Sequence, residues 1–114
     1  LRSAAPGANE AMATRVERVL PLLLPSGRCT AAQVAAQLGL SRRTLTRALE
    51  SEGTRFLELL DLTRENVALR HLAGRARNLG QIADLLGFSS PAAFTTWFRR
   101  RFGQCPRAWR QSRA

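Results

Sequence analysis

One pattern of residues occurs twice in this sequence, as Gln33-Val-Ala-Ala-Gln-Leu-Gly-Leu-Ser41 and as Gln81-Ile-Ala-Asp-Leu-Leu-Gly-Phe-Ser89. The copies lie 48 positions apart and agree at the Gln, Ala, Leu, Gly and Ser positions. In each copy the apolar residues recur at helical spacing and stop at a glycine, a residue that commonly ends a helix. A serine follows two positions later, where it can begin another helix. The pattern therefore predicts a helix, a tight turn and a second helix, and it predicts this unit twice.

Polar residues suited to capping precede each predicted helix of the repeat. Thr30 and Asn78 both stand three positions before a Gln, which is the arrangement of a capping box. Ser41 and Ser90 occupy the N-cap positions of the two second helices, and Pro91 follows Ser90 at the first helical position. The starts of four helices are thus predicted from local sequence.

A single long helix is predicted between the two copies. Residues 54–73 contain neither Gly nor Pro, and acidic residues precede basic ones along the segment, as the helix dipole favours. About 20 helical residues span roughly 30 Å. This length is close to the ~34 Å that separates successive major grooves on one face of DNA. A connector of this length could hold two reading helices one DNA turn apart.

The fold class predicted from these elements is all-α, with about seven helices in two helix-turn-helix lobes. The first helix is expected over residues 10–24, with Asn9 as its N-cap and a kink or an early end at Pro21. The chain begins with Leu rather than Met, which suggests a piece of a longer protein. The predicted divisions are a flexible tail or linker at 1–8, a first lobe at 9–53, a connector helix at 54–74 and a second lobe at 75–114.

The charge of the chain points to a polyanionic partner. All 18 basic residues are Arg, and with eight acidic residues the formal net charge is +10. Such an excess is the electrostatic signature of nucleic-acid binding. A membrane surface is disfavoured, because no apolar run could span a bilayer and the charges do not form one amphipathic face. The chain has two cysteines and no Cys-x-x-Cys pair, which fits a reduced, cytoplasmic setting. Both cysteines are expected to be ordinary thiols, and a redox sensor is the minor alternative.

Neither catalysis nor a cofactor is predicted. His71 has no ligand pattern around it, and a solvated position on the connector is expected. Asp61 and Glu65 lie four residues apart but lack a neighbouring nucleophile, so we expect them to form salt bridges or a surface that contacts RNA polymerase. No Gly-rich phosphate loop, catalytic triad or metal-binding pattern is present, which argues against an enzyme and against a metal or cofactor.

The repeat and its surroundings resemble the C-terminal DNA-binding domain of AraC/XylS-type bacterial transcription activators. The resemblance covers residues 12–111, and its second block is the more specific signature. It implies a seven-helix, two-lobed domain that places one helix of each lobe in adjacent major grooves, and contact with RNA polymerase. The residues that carry it are 34–41, 45–49, Glu52, Gly53, Phe56, Arg64, Ala68, 82–89, Phe94, Phe98, Phe102, Gly103, Pro106, Trp109 and Arg110.

Twelve residues are predicted to contact DNA. Arg can bridge guanine O6 and N7, so outward-facing arginines of the first recognition helix are expected to read bases. The second recognition helix presents short side chains, with Thr96 where many family members have Arg, so weaker base-specific bonding is expected there. Three consecutive arginines at 99–101 cannot all face DNA, because their side chains fan around the helix. The predicted base contacts are Arg43, Thr46, Arg47, Ala92, Thr95 and Thr96. The predicted phosphate contacts are Thr30, Arg42, Asn78, Ser90, Arg99 and Arg100.

The function predicted is sequence-specific binding of double-stranded DNA by a monomeric, cytoplasmic regulator domain. The alternative is an Arg-rich helical module that binds an acidic protein and binds DNA weakly. Trp97 bears on this choice, because it could pack under Trp109 or lie partly exposed as a partner contact; packing is favoured.

Overall fold

The computed structural model describes residues 10–27 and 29–112, and within them it contains seven α-helices, one short 3-10 turn and no strand. The all-α prediction is confirmed. The predicted tail at 1–8 and the predicted cap Asn9 lie outside the described residues. The helices are α1 (Met12–Leu23), α2 (Ala31–Gln37), α3 (Arg42–Ser51), α4 (Phe56–Gly74), α5 (Leu79–Leu85), α6 (Pro91–Phe102) and α7 (Pro106–Ser112), and the 3-10 turn is Leu24–Ser26.

Both copies of the repeat form a helix-turn-helix unit, α2–α3 in the first lobe and α5–α6 in the second. The turns depend on Gly39 and Gly87, whose φ angles are 74° and 79°. These angles are left-handed, a region that glycine enters without steric cost. The two glycines are 48 positions apart, so the structure repeats the turn as the sequence repeats the residues.

The first helix differs from its prediction at both ends. It begins at Met12 rather than at residue 10, and Ala11 is its N-cap. The Glu52 carboxylate accepts hydrogen bonds from the amide nitrogens of Met12 and Ala13 at 2.6 and 2.9 Å, which satisfies two free N–H groups of the first turn. Pro21 lies inside the helix, which continues to Leu23 before tightening into the 3-10 turn.

One continuous hydrophobic core runs through both lobes. The connector helix α4 contributes to it along its length, from Leu59 and Leu60 near its start to Ala68 and Leu72 near its end. Helix α1 packs against α2, α3 and α4, and α7 packs against α4 and α6. The most deeply buried large side chains are Phe94, Phe98, Leu20, Leu24, Leu45, Leu49, Leu72, Ile82 and Leu86.

The lobes also touch each other directly beside the connector. The turn of the second lobe at Gly87 lies so close to the first lobe that a Cβ there would overlap the Leu24 carbonyl oxygen. Across the same junction, Arg64 Nε donates a hydrogen bond of 3.1 Å to the Leu86 carbonyl, and its guanidinium carbon lies 4.3 Å from the centre of the Phe88 ring. The lobes are therefore positioned by contact as well as by α4.

Candidate nucleic-acid interface

Helix α3 presents a polar, basic surface opposite its buried face. Ser41 Oγ accepts a hydrogen bond of 3.1 Å from the Thr44 amide and fixes the start of the helix. Leu45 and Leu49 are buried beneath it. The outer face consists of four exposed side chains, Arg42, Arg43, Thr46 and Arg47. Within residues 10–27 and 29–112, none of these three guanidiniums forms a salt bridge or a hydrogen bond.

Two arginines stand at the end of α3 that the helix dipole makes unfavourable for positive charge. Cations near a helix N-terminus are repelled by the partial positive charge of the free amide groups. Arg42 and Arg43 occupy the first two positions of α3, and the first turn contains no acidic residue. An anion such as a phosphate, or the acceptor edge of a guanine, would relieve this repulsion.

Helix α6 presents a surface of shorter side chains. Ser90 Oγ accepts a hydrogen bond of 3.1 Å from the Ala93 amide, and Phe94 and Phe98 are fully buried below. The predicted contact residues Ala92, Thr96, Arg99 and Arg100 are exposed, whereas Thr95 and Ser90 are half-buried. Thr95, Thr96, Arg99 and Arg100 line one shallow hollow, so the structure brings these four together.

The three consecutive arginines of α6 separate into two groups. Arg101 turns back to α4, where it forms an ion pair with Glu65 and places Nη1 at 3.6 Å from Asp61 Oδ2. Arg99 and Arg100 remain exposed. This division matches the prediction that all three cannot face one partner, and it gives Asp61 and Glu65 the salt-bridge role.

Trp97 packs inside the second lobe, as predicted. Its ring contacts those of four phenylalanines, with centroid distances of 5.5 to 6.4 Å. The indole Nε1 donates a hydrogen bond of 3.1 Å to Asp61 Oδ1, so that the same carboxylate group holds both Trp97 and Arg101 of α6. The docking of α6 on the connector thus combines aromatic packing with a small ionic network.

The caps of α2 and α5 lie in separate hollows. Thr30 Oγ1 accepts from the Gln33 amide at 3.1 Å and lines a hollow of about 560 Å³ that also includes Arg42 and Thr46 of α3. Asn78 forms a complete capping box with Gln81, with hydrogen bonds of 2.8 and 2.9 Å. It lines a hollow of about 440 Å³ in the second lobe, whose other lining residues are Arg75, Leu79, Arg107, Arg110 and Gln111.

Sequence reasoning missed the arginines of this second hollow. Arg75 follows the end of α4, whereas Arg107 and Arg110 belong to α7, so these side chains meet only in the folded chain. One signal was available: residue 75 corresponds, at the repeat distance of 48, to Gly27. At this position the second lobe has an arginine where the first lobe has a glycine.

The remaining titratable candidates show no sign of a reactive site. Burial raises the pKa of the Cys29 thiol, which also donates a hydrogen bond of 3.6 Å to the Leu20 carbonyl. His71 is half-buried on α4, and burial together with Arg77 and Arg70 lowers its pKa. Across residues 10–27 and 29–112, His, Cys, Asp and Glu side chains form no group of three that could hold a metal ion.

No helix in the described part of the chain combines the length and the apolar character needed to cross a bilayer.

Comparison with known proteins gives consistent matches. A family model described as "Helix-turn-helix domain" matches residues 34–112. The chain is 45% identical over 101 residues to the HTH-type transcriptional regulator VirS of Mycobacterium tuberculosis, covering 86% of this chain and 30% of that protein. The chain therefore spans about a third of the length of such curated relatives.

Two solved structures share the fold over nearly the whole chain. A DNA-binding transcriptional dual regulator from Escherichia coli K-12 superposes with a TM-score of 0.83 at 26% identity, covering 97% of both chains. The DNA-binding domain of AdpA, a global transcriptional factor solved in complex with a target DNA, has a TM-score of 0.75 at 30% identity, covering 91% of this chain and 93% of that one.

Proposed function

The chain belongs to the AraC/XylS-type helix-turn-helix family of bacterial transcription regulators, and we propose that it is the part of such a regulator that binds a specific sequence of double-stranded DNA. The observation that carries the proposal is the outer face of the capped helix α3, where Arg42, Arg43 and Arg47 are exposed and form no ion pair or hydrogen bond with any described residue. The second helix of a helix-turn-helix unit is the one that enters the major groove.

In the first lobe we assign base reading to Arg43, Thr46 and Arg47. A guanidinium can donate two parallel hydrogen bonds to guanine, which discriminates against other bases by about 1–3 kcal/mol. Arg42 and Thr30 share the hollow at the side of α3, and we assign them to the sugar-phosphate backbone. Backbone contacts fix the register of the protein on DNA without reading its sequence.

In the second lobe the contacts are less specific. Ala92, Thr95 and Thr96 can contact thymine methyl groups, but they lack the long donors of α3. Ser90, Arg99, Arg100 and Asn78 are assigned to phosphates. The first lobe accordingly supplies most of the sequence preference, and the second lobe supplies most of the backbone anchoring.

The proposal leads to expectations for the isolated domain and for the complete regulator. We expect the isolated domain to bind as a monomer, without catalytic activity, in the bacterial cytoplasm where its DNA lies. Family membership further suggests that the complete protein contacts RNA polymerase.

Selection of bound sequences from a random pool of DNA duplexes tests the proposal. The wild-type domain should select a site of two adjacent major-groove segments. Arg43→Ala and Arg47→Ala should relax base preference in the first segment only, whereas Arg100→Ala should weaken all sequences alike and lower the slope of log K against log [salt] by about 0.9. Equal, sequence-independent losses from all three variants would refute these roles.

The salt dependence of duplex affinity distinguishes the proposed function from the alternative, a module that binds an acidic protein. Several phosphate contacts make duplex affinity fall steeply with salt. A shallow salt dependence with no selected sequence would favour the protein-binding function instead. Trp97, one feature that supported this alternative, is half-buried and contacts four phenylalanines, which favours a packing role for it.

A further inference from the structure

The repeat places one hollow at the same point in each lobe. Each hollow borders the start of the first helix of the helix-turn-helix unit and the helix that follows the unit, which is α4 in the first lobe and α7 in the second. The first hollow also extends along α3, whereas no described residue of α6 lines the second. Thr30 and Asn78, the N-caps of α2 and α5, correspond to each other at a distance of 48 positions. The two hollows can therefore be compared position by position.

The second lobe has arginines where the first has leucines. Gly53 and Gly103 end the two recognition helices with φ angles of 79° and 80°, and they lie 50 positions apart. At that distance Leu57 corresponds to Arg107, and Leu60 corresponds to Arg110. The first hollow is lined by apolar side chains together with Arg42, Arg55 and Glu50. The described residues that line the second hollow include three arginines and no Asp or Glu.

A third arginine, Arg75, adopts a left-handed backbone conformation at the end of α4. Arg75 has a φ of 59°, and within the described residues it is the only non-glycine with a positive φ. Gly27, its counterpart 48 positions earlier, has a φ of 73°. A residue with a Cβ is disfavoured in this region by about 1–2 kcal/mol. Such strain is typically found at functional sites, where the side chain is needed.

The three arginines of the second hollow, Arg75, Arg107 and Arg110, differ in how many of their N–H donors are used in hydrogen bonds within the described residues. Arg110 is committed to the end of α4, since Nε and Nη2 donate to the carbonyls of Leu72 and His71 at 3.0 and 3.1 Å. Arg75 Nη2 donates to the Arg110 carbonyl at 2.8 Å, which holds the Arg75 side chain at the hollow. Arg107 is exposed and has no hydrogen bond or ion pair with any described residue.

We propose that Arg75 and Arg107, together with Asn78, bind a phosphate of the DNA backbone beside the second half of the site. In a helix-turn-helix unit the first helix crosses the backbone while the second lies in the groove, so the Asn78 end of α5 is suited to meet the sugar-phosphate chain. Guanidinium groups match the oxygens of a phosphate with paired hydrogen bonds. The inference rests on the proposed function and adds a contact to it.

This contact would explain how the second lobe is anchored. The outward side chains of α6 near its start are short, so base contacts alone would hold that lobe weakly. A phosphate bound in the hollow would position α6 over the groove. The corresponding hollow of the first lobe lacks these two guanidinium groups, because Leu57 and Leu60 occupy the positions of Arg107 and Arg110. Its backbone contacts are the ones assigned above to Arg42 and Thr30.

Two variants with a matched control test the proposal. Arg75→Gly restores the residue of the first lobe and relieves the backbone strain, so loss of binding could not be attributed to misfolding. Arg107→Gln removes the exposed charge. Arg70→Gln, on the surface of α4 and outside the hollow, is the control for the loss of one charge. Each protein is titrated with the selected duplex and with a random duplex at several salt concentrations.

We expect both hollow variants to weaken the two duplexes by a similar factor of roughly tenfold, and to lower the salt slope by about 0.9 while leaving base preference unchanged. A duplex with one methylphosphonate at the contacted position should bind wild type and variants alike, since the interaction is then already lost. Arg75→Gly should be at least as stable as the wild type.

Two results would overturn the inference, and they differ in whether the proposed function also fails. If the wild type selects a DNA site but both hollow variants bind like Arg70→Gln, the phosphate contact is wrong and an acidic protein becomes the better ligand for the hollow. If the wild type selects no site at all, the proposed function fails, and the contact fails with it.

Discussion

Arg64 shows that an arginine-rich chain uses this residue for packing as well as for binding. Its guanidinium lies at the junction of the lobes, over the ring of Phe88 and bonded to the Leu86 carbonyl. Burial lowers its pKa, whereas the exposed arginines of α3 have no such environment. Charge counts from sequence could not separate these two uses, because burial depends on the packing of α4 against α5.

Replacing Arg64 should therefore affect stability where replacing a surface arginine does not. We expect Arg64→Ala to lower the free energy of unfolding by about 2–3 kcal/mol, from the loss of a charged hydrogen bond and a cation–π contact. Arg100→Ala, at an exposed position without a partner, should change it by less than about 0.5 kcal/mol. Urea unfolding followed by circular dichroism measures both, and equal effects would contradict the role of Arg64.

At the scale of helices, the sequence predicted those starts that depend on neighbouring residues. The caps Thr30, Ser41, Asn78 and Ser90 all bond to an amide three positions later, so the local pattern contains the necessary information. The start of α1 was predicted wrongly because its amides bond to Glu52, about 40 positions away. No local pattern encodes a cap that folding brings from another helix.

The turn glycines of the two lobes give a prediction at this scale. Gly39→Ala should cost about 1–2 kcal/mol, because the φ of 74° disfavours a Cβ although no atom lies near it. Gly87→Ala has the same strain and also places its Cβ against the Leu24 carbonyl of the first lobe. We expect it to be the more destabilising of the two by at least 1 kcal/mol, since overpacking adds about 1–3 kcal/mol.

Thermal or urea unfolding of the two glycine variants provides the measurement. Because the turns are equivalent in the repeat, each variant serves as the control for the other. Equal losses of stability would mean that the lobes do not press against each other at Gly87.

For the whole molecule, the sequence predicted the two lobes and the connector but not how the lobes meet. The direct junction of Gly87 and Arg64 with their neighbours arises from packing between segments that are distant in the chain. The exposed predicted contacts on α3 follow from helical periodicity alone, since Leu45 and Leu49 fix the buried face. The hollow of Arg75 and Arg107 required the fold, because α4 and α7 must come together to form it.

A rigid arrangement of two lobes should make DNA binding sensitive to the spacing of the half-sites. Helix α4 has 19 residues and spans roughly 28 Å, and the lobes are also fixed by their own junction. Each inserted base pair rotates the second half-site by about 35° and moves it by about 3.4 Å, given 10–10.5 base pairs per turn of about 34–36 Å. The lobes cannot follow such a change without breaking the close approach of Gly87 to the Leu24 carbonyl.

We therefore expect five inserted base pairs, about half a turn, to reduce affinity to that of a duplex containing the first half-site alone. Ten inserted pairs restore the angular phase but add about 34 Å, beyond the reach of the connector, and should not restore affinity. Electrophoretic mobility shifts with these duplexes measure the effect, and duplexes with the same insertion outside the site are the control. Recovery of affinity at ten pairs would show that the lobes separate on DNA, and the junction at Gly87 and Arg64 would then not hold in the bound state.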